Sequence, residues 1–162
     1  MNTGTSTRTQ RRAARLDDPR FESMRTPAVR RRLVAALIGI LVAEAAVFSQ
    51  IDRAPVPAVI GLAVVVLAFV FCFGALKAST RGVEELPAEA LDERQWQLRG
   101  EAYARSYRIG FGLLTLELAA VAVWLIRDLP VPGTGVLAAA VLLPFHLGLV
   151  LPTMVTASSR TV

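Results

Sequence analysis

Four stretches of the 162-residue chain are apolar and almost free of charge: residues 33–51, 57–76, 109–126 and 134–157. Each is about 18–24 residues long, and a hydrocarbon core about 30 Å thick needs about 20 residues of helix to cross it. None alternates with period two, as barrel strands do. Each segment must therefore satisfy its own backbone amides, as a helix does. The pattern predicts an all-α membrane protein with four transmembrane helices.

The four segments fall into two rhyming pairs. Glu44 is followed eleven positions later by Pro55-Val56-Pro57, and Glu117 thirteen positions later by Pro130-Val131-Pro132. An acidic–basic pair comes just before each Pro-Val-Pro (Asp52-Arg53 and Arg127-Asp128), and Ala78-Ser79-Thr80-Arg81 rhymes with Ala157-Ser158-Ser159-Arg160. The expectation is two tandem-duplicated hairpins, residues 33–81 and 109–162, each with an acid in its first helix. Residues 1–32 then form a disordered basic tail, and 82–108 a connector between the hairpins.

Charge orients the plan. Nine arginines precede residue 33, and the connector side adds Lys77, Arg81, Arg94, Arg99, Arg105 and Arg108, with Arg160 at the end. The two short loops opposite hold only Arg53 and Arg127. Lys and Arg beside membrane spans are retained in the cytoplasm, so both termini are expected inside the cytoplasmic (inner) membrane. Trp124, near the outer end of the third span, suits an interfacial anchor. The net charge of +5 points to anionic lipid headgroups rather than nucleic acid, because no reading element or stacking aromatic accompanies the tail arginines. Arg30-Arg31-Arg32-Leu33-Val34 resembles a twin-arginine export signal. No clear small-residue cleavage site follows, and Glu44 lies within the run, so the first helix is expected to be retained.

The connector has its own pattern. Asp92 with Gln95 three residues on forms a capping box, and from Glu93 nothing breaks a helix running into the third span. At 3.6 residues per turn, Trp96, Gly100, Tyr103, Tyr107 and Phe111 share one side, while Arg94, Glu101, Arg105 and Arg108 cluster on the other. An amphipathic cytoplasmic helix of this kind fits the membrane surface or a protein partner. Its bland role is a bundle-capping lever without a ligand. The run Asp92-Glu93-Arg94, Arg99, Ala102 and Tyr107-Arg108 before a span resembles a pattern in small uncharacterised actinobacterial multi-pass membrane proteins. That resemblance implies a few packed membrane helices and nothing catalytic.

Three ionisable residues lie at membrane depth: Glu44, Glu117 and His146. Such groups usually face the bundle interior and find partners, because a charge in hydrocarbon costs several kcal/mol. One reading sets Glu44 and Glu117 face to face across a pseudo-two-fold axis, with His146 completing a proton or cation relay. The other makes them packing hydrogen bonds of about 0.6 kcal/mol each. Pro144 and Pro152 break the fourth span's backbone bonding on either side of His146. Ala35, Gly39 and Ala43 form a small-xxx-small stripe on the first span, suited to close helix contact. Lone Cys72 permits no internal disulfide.

The inventory holds no hydrolytic triad, phosphate loop or metal-binding helix motif, so neither enzyme, cofactor nor metal is expected. The leading expectation is an accessory, regulatory or scaffold membrane protein that acts through its lever and basic tail. A second copy of the chain is an open partner. The alternative is a small proton-coupled transporter or permease using the three intramembrane residues. A short four-span plan with an acid in the first helix is similar to small multidrug-resistance exporters, which lack this long connector.

Overall fold

The structure, a computed structural model, describes residues 26–80 and 93–158. The first 25 residues of the tail, the Asp92 cap, the acidic stretch Glu84–Glu89 and Arg160 lie outside the described residues. Four helices follow one another: α1 (Pro27–Phe48), α2 (Pro55–Ser79), α3 (Glu93–Ile126) and α4 (Thr134–Ser158). There is no strand among the described residues.

The helix starts follow from local chemistry. Thr26 caps α1, its hydroxyl accepting from the Val29 amide, and Pro27 takes a first-turn position where no donor is needed. This start absorbs Arg30, Arg31 and Arg32 into the helix, six residues before the expected span. Pro55 and Pro57 open α2 and remove two amides that would otherwise lack acceptors. The second Pro-Val-Pro behaves differently, lying in the irregular link that precedes α4. Trp124 closes that link by donating its indole N–H to the Pro130 carbonyl at 2.9 Å. In the same link Asp128 adopts a left-handed conformation, φ 50°.

Three helices, α2, α3 and α4, are long and apolar enough to cross a membrane. Helix α1 differs because its 22 residues include three arginines and Glu44. Its stretch from Leu33 to Phe48, interrupted by Glu44, would rise only about 24 Å.

Helix α4 is the hub. It packs on α1, α2 and α3, and α1 packs on α2, whereas α3 barely meets α1 or α2. The core, Leu37, Phe69, Leu76, Val150, Met154 and Ala157, joins α1, α2 and α4 near the arginine-bearing end of α1. An exact two-fold duplication would require the α1–α4 interface to be matched by one between α3 and α2. The protein has the first without the second.

Helix α3 reaches α4 through small residues. Ala102 and Ser106 are buried and Gly110 faces Leu151, with four-residue spacing that lets the backbones approach closely. The Ser106 hydroxyl is satisfied by the Ala102 carbonyl at 2.7 Å. The stripe expected to do this on α1 does not: Ala35, Gly39 and Ala43 are exposed, and α1 buries Leu37, Glu44 and Phe48 instead.

Candidate functional site

Helices α1 and α4 run antiparallel and bring Glu44 and His146 together across their seam. His146 Nδ1 lies 2.7 Å from Glu44 Oε1, in a pair that connects residues 102 apart in sequence. Glu44 is 1% exposed and the His146 side chain 16%. Phe69 of α2 covers the imidazole at 4.9 Å between ring centres, and Phe145 flanks it at 5.8 Å. Three helices thus enclose the pair.

The chemistry of that contact is constrained. A hydrogen bond between a ring nitrogen and a carboxyl oxygen needs one proton between them, whichever group carries it. Burial in low dielectric makes the contact stronger, and makes an unpaired member more expensive. Glu44 Oε2 is buried and has no hydrogen-bond partner. The site therefore holds one satisfied oxygen and one that can still take a donor.

Glu117 is placed elsewhere. It is half-buried on α3 and has no hydrogen-bond or ion-pair partner among the described residues. The structure brings together Glu44 and His146 and leaves the third member of the expected trio apart. The helix that carries Glu117 is largely uncovered over its apolar half. No group of three or more His, Cys, Asp or Glu suited to a metal ion occurs among the described residues.

The lever residues all lie on α3. Trp96, Tyr103 and Tyr107 are exposed, as are Arg94, Arg105 and Arg108. Tyr107 stacks on Phe111 at 5.9 Å, and Arg99 lies over the Tyr103 ring at the same distance. The buried strip of α3 runs between the aromatic and basic sides, through Ala102 and Ser106. Sequence spacing identified both outer stripes but not this inner one.

One functional-looking residue was missed by sequence reasoning. Asp52, in the loop after α1, caps the start of α4: its two carboxylate oxygens accept from the amides of Thr134 (3.1 Å) and Gly135 (3.2 Å). Those amides carry the positive end of the helix dipole, which suits a carboxylate. The signal was the absence of a local cap, since Gly133 stands at the capping position with no side chain to offer. A methyl group on Gly133 would strike the Asp52 carboxylate, and one on Gly135 would strike the Phe48 carbonyl oxygen. Gly135 is required by this approach to backbone, whereas a side chain at Gly133 would push the Asp52 carboxylate aside.

Comparison with protein-family models, with curated proteins and with solved structures finds no match to this chain.

Proposed function

We propose that this chain is a non-enzymatic accessory or scaffold protein of the cytoplasmic membrane, crossing it four times with both termini inside. Its working part is the polar half of α3. The observation that carries this reading is the continuity of α3 over 34 residues. At about 1.5 Å per residue it is about 51 Å long, well beyond the hydrocarbon core. The excess half projects from the membrane with its aromatic and basic side chains exposed, which suits a membrane or cytoplasmic protein partner.

The first crossing is supported by the pairing of Glu44, which hides the most expensive group of α1 from lipid. The arginine bias supports the orientation. Duplication of an ancestral hairpin rests on the sequence rhyme alone. Cysteines introduced as Ala54→Cys and Leu129→Cys should label from outside intact cells, and Arg94→Cys only after permeabilisation. Labelling of residues 54 and 94 from the same side would overturn the four-crossing plan.

The partner reading is tested by photo-crosslinking from positions 96 and 103 in native membranes. A specific adduct that Arg94→Glu with Arg105→Glu abolishes supports it. Adducts confined to the chain itself would overturn it.

A second reading is favoured by the open oxygen of Glu44. In it, Glu44 and His146 form a proton site of a small coupled transporter, with Glu117 outside the site. Reconstituted protein should then acidify or deplete a vesicle lumen, and Glu44→Gln should abolish that flux. Flux unaltered by the substitution would remove the mechanism.

A further inference from the structure

A cavity of about 260 Å³ opens between the polar half of α3 and the last turns of α4. Leu98, Ala102 and Val155 give it an apolar floor, and Glu101, Arg105 and Arg108 bring its charges. These three charged residues lie at i, i+4 and i+7 on one stripe of α3. Although Glu101 and Arg105 are one turn apart, none of the three has a hydrogen bond or ion pair among the described residues. Two cations and an anion therefore line one cavity without neutralising one another.

Their order along the helix carries the information. Arg108 adjoins Ile109, where the apolar half of α3 begins, so it sits at the membrane boundary. Arg105 lies one turn further out, and Glu101 about 10 Å beyond Arg108. Moving away from the hydrocarbon, a ligand meets positive charge first and negative charge second. A phospholipid whose head bears an amine has the complementary order. Its phosphodiester lies nearest the acyl chains and its ammonium farther out. Two guanidiniums match the phosphate by charge-assisted hydrogen bonds, and a carboxylate matches a primary ammonium with donors to give. The acyl chains would leave along the uncovered apolar half of α3 on the same side as Arg105, where Ile109 and Leu116 are exposed.

We propose that the α3–α4 cavity binds the phosphoethanolamine head of a membrane phospholipid, with Arg105 and Arg108 on the phosphate and Glu101 on the ammonium. This deepens the reading of α3 as a membrane-boundary lever, because a lipid seated there fixes the angle at which the projecting half leaves the bilayer. It rests on that half standing at the boundary, and does not require a protein partner.

The test uses the full-length protein in detergent, incubated with phosphatidylethanolamine or phosphatidylglycerol and read by native mass spectrometry. Phosphatidylethanolamine should be retained about tenfold better than phosphatidylglycerol, the factor expected for one charge-assisted hydrogen bond to the amine. Glu101→Gln should remove that preference while leaving phosphate-dependent retention. Arg105→Gln with Arg108→Gln should reduce retention of both lipids. Ala104→Phe, which narrows the cavity from an exposed position, should do the same without altering any charge.

Equal retention of the two lipids by the unaltered protein, or a preference that survives Glu101→Gln, would overturn the assignment of the ammonium. Retention unaffected by both the arginine pair and Ala104→Phe would overturn the site. Soluble phosphoethanolamine displacing the lipid at equal concentration would replace a lipid ligand by a free solute. Loss of the crosslink from position 96 with lipid retention intact refutes the partner and leaves this site standing; the converse result does the opposite.

Discussion

Removing His146 should cost more than its own packing, because it strands Glu44. With His146→Leu the Oε1 oxygen of Glu44 loses its hydrogen-bond partner and joins Oε2 in having none, at a position only 1% exposed. A buried polar group left unsatisfied costs about 1–3 kcal/mol in water-soluble proteins. Hydrogen bonds between membrane helices average about 0.6 kcal/mol and reach about 1.7, since lipid-embedded reference states find other partners. Glu44 is closed off in the α1–α4 seam, so a value near the top of the membrane range is expected, about 1.5 kcal/mol. Glu44→Leu should cost less, because His146 keeps partial exposure and loses one contact. The double variant should be less destabilised than the sum of the singles by about 1 kcal/mol. The assay is unfolding of the purified protein in mixed micelles across this four-member cycle. Single effects that add to within about 0.3 kcal/mol would show no coupling, and with it no interhelical hydrogen bond.

Further expectations use the same unfolding assay. Glu117→Leu should leave stability unchanged or raised, since that carboxyl has no partner to lose among the described residues; a loss as large as that from Glu44→Leu would refute its isolation. Asp52→Ala should cost about 1 kcal/mol, the usual penalty for losing a capping side chain, and Asp52→Asn should retain part of it. No change with Asp52→Ala would show that water serves those amides equally well. Gly135→Ala should be poorly tolerated because its methyl meets the Phe48 carbonyl. Gly39→Ala, which meets nothing, should be neutral.

Hydropathy located the elements because a helix that must satisfy its own backbone advertises its length. The ends differ by a few residues, the largest shift being the earlier start of α1. That start depends on Thr26 and Pro27, a capping pair lying before the apolar run and invisible to hydropathy. Periodicity also marked the two outer stripes of α3 and its unbroken passage toward the apolar half. What periodicity cannot say is which helix a face meets. Glu44 and Glu117 looked equivalent because each lies inside an apolar run upstream of Pro-Val-Pro, yet packing partners decide their fates. Glu44 turns toward α4, the hub, while Glu117 stays on a helix that touches the bundle mainly through Ala102, Ser106 and Gly110. The contrast between Ala35-Gly39-Ala43 and Ala102-Ser106-Gly110 makes the same point. Both stripes have small residues at helical spacing, and only one faces a neighbour.

The carboxylate of Asp52 belongs to a turn completed long before Thr134 leaves the ribosome. The final helix therefore arrives to find its landing point already built, and its leading end can settle only if the earlier hairpin stands in place. Assembly acquires a direction from this: the second half reads its position from the first, so two halves produced as separate polypeptides should still recognise each other, and should do so about fivefold more weakly once residue 52 loses its acid.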